Sequence, residues 1–343
     1  MAETAIGWDV GGANLKAARV AKARLEAVVQ IPCPLWRGLV HLETAMDEAM
    51  AKLGPCERQV LTMTGEMADI FKSRQDGVRA ILAAAQTKLG KDGFRVFSGK
   101  SGLVGPKQAV RDWRSVASAN WQASAKLVAS AVPEALFIDI GTTTTDVIAV
   151  GAGNVLAEGS TDAERLATDE LVYTGIVRTP VMAVASSLTV RDKAHSIMAE
   201  LFATMADVYR VSGELPKDAD EFPTPDGRGK SKQDSARRLA RMLGRDLDEA
   251  PMPVWAAVAR QLAEAQSARI EAACRRVLNG KPLSPKAPLV GAGCGRFVVQ
   301  ALAKKLGRPY FDFGDLILAK PKTRHLAAVC APATALAFFA AAD

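Results

Sequence analysis

Cysteine is scarce and scattered in this chain: Cys33, Cys56, Cys274, Cys294 and Cys330 stand far apart, no two form a C-x-x-C pair, and their number is odd. That spacing excludes a disulfide framework and a zinc site built on paired thiols, and it points to reduced thiols in cytoplasm. His41, His195 and His325 are too dispersed to read as a metal cluster, and no Ser-His-Asp or Cys-His order stands out. Aromatic residues make up only 6% of the chain, with no RNA-binding aromatic signature and no zinc-finger spacing. Lys and Arg outnumber Asp and Glu by 44 to 37, a formal net charge of +7, yet they gather into no arm or stripe. Nucleic acid is therefore excluded as a partner, and small phosphorylated anions suit the charge better. Long apolar runs are missing too. The opening residues lack the basic start and apolar core of a signal peptide. The most apolar stretch, residues 326–342, is interrupted by Pro332, falls short of a membrane span, and reads as one buried helix.

What is present is an internal repeat. Ala5-Ile-Gly-Trp-Asp-Val-Gly-Gly-Ala-Asn-Leu-Lys-Ala-Ala and Leu136-Phe-Ile-Asp-Ile-Gly-Thr-Thr-Thr-Thr-Asp-Val-Ile-Ala follow one pattern, with Asp9 matching Asp139 and Gly11 matching Gly141. Each is an apolar run, an acid, a glycine turn, and a second strand-compatible run, hence a hairpin. A separation of 130 positions (139 against 9) is too long for a solenoid, and 343 residues suit two domains. The expectation is an α/β protein of two similar lobes facing a cleft: residues 1–130 with the returning segment 326–343, and residues 131–325.

The residue types in the turns suit phosphate. Gly11, Gly12 and Gly141 let phosphate oxygens approach backbone N–H groups, and Asn14 with Thr142, Thr143, Thr144 and Thr145 adds side-chain donors. Lys16 joins this set if its strand register turns it toward the cleft. Asp9 and Asp139 cannot bind phosphate themselves, because like charges repel, but they can hold Mg²⁺ that bridges to it; Asp146 is a third candidate acid. Near the end of the chain, Ala287-Pro-Leu-Val-Gly-Ala-Gly-Cys-Gly-Arg-Phe reads as a strand, a turn at Gly291, Gly293 and Gly295, and a helix. That turn either lies under a ligand, ATP among them, or serves close helix–strand packing.

Two hairpins followed by such a glycine turn resemble the sugar-kinase/heat-shock-protein/actin superfamily, which implies a two-lobed actin-like, ribonuclease-H-like ATPase fold. The string Asp139-Ile-Gly-Thr-Thr-Thr-Thr-Asp-Val is similar to the phosphate turn of the hydantoinase/oxoprolinase A proteins, with Thr142 where those often carry a second glycine. Thr62-Met-Thr-Gly-Glu-Met-Ala-Asp, Ala117-Ser-Ala-Asn-Trp, Thr161-Asp-Ala-Glu-Arg-Leu, Glu170-Leu-Val-Tyr-Thr-Gly-Ile-Val-Arg-Thr-Pro-Val and Ala203-Thr-Met-Ala-Asp-Val-Tyr resemble the small hydantoinase-like proteins of C1-carrier cofactor synthesis in methanogens and methylotrophs. That resemblance implies formation of an ether between a furanmethyl diphosphate and the phenol oxygen of tyrosine or a tyramine derivative, as in methanofuran or methylofuran.

For that reaction Glu66 is the candidate base or amine anchor, Arg178 a clamp for carboxylate or phosphate, and Asn120, Trp121 and Tyr173 candidate substrate contacts, the aromatics by stacking. Each has a plain structural alternative: a capping carboxylate, a solvated arginine, core aromatics. Segment 213–235, rich in Pro, Gly, Asp and Lys, reads as a solvated connector, and the helical stretches 234–243 and 254–278 suit structural packing or a homo-oligomer contact. Two rival functions stay open: an ATP-dependent kinase or hydantoinase-like hydrolase, and a nucleotide-sensing module without catalysis.

Overall fold

The computed structural model describes residues 3–91 and 93–343. The opening repeat folds into an antiparallel meander of β1 (Thr4–Val10), β2 (Asn14–Ala21) and β3 (Arg24–Pro32). Helix α1 (Val40–Leu53) returns the chain to β4 (Arg58–Met63), parallel to β1. Helix α2 (Arg74–Leu89) leads to β5 (Arg95–Ser98) and the antiparallel edge strand β6 (Gly102–Val104). The sheet order is β3-β2-β1-β4-β5-β6. Central β1 is buried on both faces, which is why its sequence is an almost unbroken apolar run rather than an alternation.

After α3 (Pro106–Arg111) and α4 (Asn120–Ala131) the pattern recurs. Strand β7 (Glu134–Ile140) pairs antiparallel with β8 (Thr145–Gly151), to which β9 (Asn154–Val155) adds a short edge. Helix α5 (Asp162–Ala167) precedes β10 (Leu171–Val172), also on β8. A separate hairpin, β11 (Ser187–Val190) with β12 (Lys193–Ser196), and the helices α6 (Met205–Ser212), α7 (Lys232–Arg241) and α8 (Met252–Asn279) cover the outer side. Strand β13 (Leu289–Ala292) then lies parallel to β7, as β4 does to β1, and is followed by α9 (Arg296–Lys305) and β14 (Tyr310–Asp312). The second sheet runs β10-β8-β7-β13-β14. The molecule is two-lobed, with one topology used twice.

The apolar tail is not one helix. It breaks into α10 (Pro321–Val329) and α11 (Ala331–Ala342), bent by 108°. Pro332 sits in the first turn of α11, where its missing N–H costs nothing; continued from α10, the same residue would have interrupted the ladder. Helices α4 and α11 form the layer between the sheets, packed with Phe97, Phe137, Ile148 and Phe313 in a shared core. Each such buried side chain contributes about 1.5–3 kcal/mol. The fit at β1 is close: a Cβ on Gly7 would lie 2.1 Å from the carbonyl oxygen of Ala333. Among the described residues no single helix is long and apolar enough to cross a membrane.

Candidate active site

The two hairpin turns are built alike. Gly11 N–H donates to the Asn14 carbonyl at 3.0 Å, and Gly141 N–H to the Thr144 carbonyl at 2.9 Å. Among the described residues the N–H groups of Gly12, Ala13, Thr142 and Thr143 make no backbone hydrogen bond, and these four residues line a cavity of about 450 Å³. Asp9 and Asp139, at the ends of β1 and β7, line the same cavity. Cross-strand register places Lys16 opposite Asp9 and Asp146 opposite Asp139. Equivalent positions in the two copies thus carry opposite charge.

Burial governs the electrostatics of this floor. It pushes the Asp9 carboxyl up to about 6 against the pull of Lys16 and a hydrogen bond from Asn120. It pushes Asp139 up to about 7, helped by the negative charge of Asp146. Asp146 is also raised by burial, although Arg165 pairs with it and opposes the shift. The Lys16 ammonium feels burial in the opposite sense, but Cys330, Asp9 and Asp139 outweigh that and hold it above its ordinary value; its Nζ donates to the Val329 carbonyl at 3.1 Å. Asp9 Oδ1 is buried with no partner among the described residues. Two carboxylates that share one buried lysine and keep an unpaired oxygen make a site that lacks positive charge.

Around the floor, Arg165 is fully buried, stacked at 4.2 Å on the Trp121 ring, and donates to the Glu170 carbonyl at 3.0 Å. The rim is apolar and aromatic, with Trp36, Met67 and Tyr173 exposed and lining the cavity. Arg178 reaches across from the second lobe to lie 5.7 Å over the Trp36 ring. On the first-lobe side, Arg74 pairs with Asp162 of the second lobe and donates to Ser118 Oγ at 2.9 Å.

The comparisons identify the family and the fold. The hydantoinase/oxoprolinase family model matches residues 57–340. A synthase of Methanocaldococcus jannaschii named for (4-{4-[2-(gamma-L-glutamylamino)ethyl]phenoxymethyl}furan-2-yl)methanamine is 31% identical over 70% of this chain and 72% of its own length. The chain belongs to the hydantoinase/oxoprolinase family. The Methanococcus vannielii synthase of the same name is 32% identical over 33% of this chain and 51% of its own length. Among solved structures, nucleotide-free acetone carboxylase superposes on this family member with a TM-score of 0.63 at 13% identity, covering 98% of this chain and 70% of that one. A PilM–PilN pilus biogenesis complex gives 0.50 at 12% identity, covering 98% of each. These two likenesses speak to the fold alone, which is the actin-like ATPase architecture.

Within this hydantoinase/oxoprolinase-family site, Asp9, Gly11, Gly12, Asn14, Lys16, Asn120, Asp139, Gly141, Thr142, Thr143, Thr144, Asp146, Tyr173 and Arg178 come together around the cavity. Others expected there stand elsewhere. Thr145 is buried and its hydroxyl donates to the Thr174 carbonyl at 2.7 Å. Trp121 lies beneath Arg165 instead of meeting a substrate ring. Gly291, Gly293 and Gly295 do not line the cavity: Gly293 N–H donates to the Ala328 carbonyl and Gly295 N–H to the Ile140 carbonyl, while Tyr310 rests against Gly291. Their lack of side chains serves packing, since a Cβ on Gly293 would meet the Ile140 carbonyl at 2.1 Å. Glu66 is buried behind Ser118. Segment 213–235 is largely exposed, as expected of a solvated connector, but it is tied down at several points. Phe222 packs on Trp36 at 5.8 Å between ring centroids, Gln30 donates to Glu221 Oε2 at 3.3 Å, and buried Arg238 grips Asp207, Asp226 and the Gly229 carbonyl. Sequence reasoning missed Trp36, Ser118, Asp162 and Arg165. The last two lie on the short helix that the Thr161–Glu164 capping box opens, a local signal for a helix start that said nothing of what the helix carries.

Proposed function

We propose that the chain is a transferase of methanofuran-type cofactor biosynthesis that joins a furanmethyl diphosphate to the phenol oxygen of tyrosine or a tyramine derivative and releases diphosphate. The observation that carries this reading is the similarity to the M. jannaschii synthase over 72% of its length, whose name specifies a phenoxymethyl furan. The cavity suits the reaction. A furanmethyl diphosphate ionises readily because the ring oxygen stabilises the adjacent cation, so catalysis consists largely of stabilising the departing anion. Lys16, the free amides of both turns and the hydroxyls of Thr142, Thr143 and Thr144 supply that stabilisation, and the aromatic rim suits furan and phenol rings.

Asp9 and Asp139 would hold Mg²⁺. The unpartnered oxygen of Asp9 and the raised pKa of both acids suit a divalent cation as their partner. No group of three or more acidic, His or Cys side chains suited to a metal occurs among the described residues, so an ion held by these two acids would complete its shell with water and substrate phosphate. When bound, it offsets charge on the diphosphate. ATP is a poorer match, because the glycine turn that would receive adenosine has its amides bonded internally and Tyr310 against its face.

Purified protein given (aminomethyl)furanmethyl diphosphate, Mg²⁺ and tyrosine, tyramine or γ-glutamyltyramine should yield the ether and equimolar diphosphate without ATP, as read by mass spectrometry. Absence of ether with every phenol, or ether only when ATP is added, would sink the proposal.

A further inference from the structure

Ether formation needs a group to take the phenol's proton, and the acids that line the cavity are otherwise engaged. Asp9 and Asp139 are assigned to the cation, Asp146 is tied to Arg165 and Asp162 to Arg74, and Asp69 is exposed at the rim. We propose, on the ether-forming reading above, that Ser118 accepts the phenol's proton while passing its own to Glu66, so that the base is a serine–glutamate relay between the cavity and a buried carboxylate.

The geometry is specific. Ser118 lines the cavity, and its hydroxyl donates to Glu66 Oε1 at 2.7 Å. Its oxygen accepts from Arg74 Nη2 at 2.9 Å, which leaves one lone pair for a proton arriving from a ligand. Glu66 is 1% exposed, and its Oε2 is buried without a partner among the described residues. Helix α2 fixes the turn that carries it, since a Cβ on Gly77 would lie 2.3 Å from the Glu66 carbonyl oxygen. Ser118 holds φ at +51°, a left-handed conformation that glycine would adopt with less strain and that a non-glycine residue adopts at a cost. A hydroxyl needed at that point explains the residue. The charged groups facing Glu66 are Arg74 from α2, 3.8 Å away, and Asp162 at the start of α5. Burial raises Glu66 to about 7; Ser118 and Arg74 oppose the shift and Asp162 adds to it. A base that titrates near neutrality is suited to this task.

The step balances. The phenol O–H bond breaks and its proton goes to Ser118 Oγ, while the Ser118 proton goes to Glu66 Oε1. The phenol oxygen bonds to the furan methylene carbon, and that carbon's bond to diphosphate oxygen breaks with the electron pair leaving on diphosphate. Once the products leave, the proton returns from Glu66 Oε1 to Ser118 Oγ as Ser118 releases its other proton to water in the cavity.

Ser118→Gly tests this, because it removes the hydroxyl at a backbone conformation that glycine favours. For a tyramine-class phenol kcat/KM should fall by about 10²–10³-fold. For a nitrated congener already ionised at neutral pH the loss should be below about tenfold, since no proton transfer remains to be catalysed. At saturating Mg²⁺, which keeps Asp9 and Asp139 ionised, the acid limb of the wild-type pH–rate profile near 7 should vanish in both Ser118→Gly and Glu66→Gln. A Ser118→Gly enzyme with wild-type rate and pH profile, or with equal losses on both phenols, overturns the relay alone. A wild-type enzyme that forms no ether overturns the reaction and the relay together.

Discussion

Lys16 and Asp146 hold the same place in two copies of one hairpin, each across from the aspartate that ends the preceding strand. The first copy therefore offers an anion a cation, while the second adds a negative charge that Arg165 must neutralise. Asp9→Asn or Asp139→Asn should lower turnover by about 10²–10³-fold, the scale of losing a charge-stabilising partner, with the fold retained; steady-state rates with circular dichroism would check both. Asp139→Asn should also stabilise the protein. The folded carboxyl keeps its proton up to about pH 7, whereas the unfolded chain loses it near the ordinary aspartate value of about 3.9. Native stability thus falls as pH rises between those values. The variant's melting temperature should match wild type at pH 4, exceed it increasingly up to pH 7, and hold that gain above; an advantage already present at pH 4 would contradict the assigned cause.

At the scale of elements, the hairpins were legible because their pattern is local: an acid, a glycine and small residues within six positions carry the turn wherever the chain places it. The glycines at 291, 293 and 295 were legible as glycines but not in purpose, because close approach of a ligand and close approach of Ile140 and Tyr310 demand the same absent side chain. Glu66 was legible as a candidate base, but not its link to the cavity, which runs through Ser118, 52 positions away. The break at Pro332 was visible in the sequence, yet its outcome depended on whether the proline fell inside a helix or at a helix start. The contact at Gly7 is as tight as that at Gly293, both 2.1 Å to a carbonyl oxygen. Gly7→Ala should press β1 off α11 and cost about 3 kcal/mol, at the upper end for overpacking, read as a lower denaturant midpoint at unchanged slope.

Across the whole molecule, the contacts that join the lobes besides the α4–α11 layer include Arg74 on Asp162, Arg178 over Trp36, Phe222 on that same ring, Gln30 on Glu221 and the Leu25 N–H on the Leu318 carbonyl. Trp36 therefore holds both a second-lobe arginine and the 213–235 strap. Trp36→Ala should raise the KM for both substrates by about tenfold, the cost of about 1.4 kcal/mol of lost positioning, and should speed proteolytic nicking between residues 213 and 231 with little change in melting temperature. An unchanged cleavage rate would remove Trp36 from the role of anchor.

The contact between Gly7 and Ala333 also sets a timetable for the nascent chain. The strand is made long before the helix that covers its inner face, which is translated only after the entire second sheet. During synthesis that apolar face stays open to water, and sequence separation on this scale slows closure. The nascent chain is thus expected to rely on a chaperone until α11 is made, and truncation before residue 331 should leave an aggregating product, not a smaller folded one.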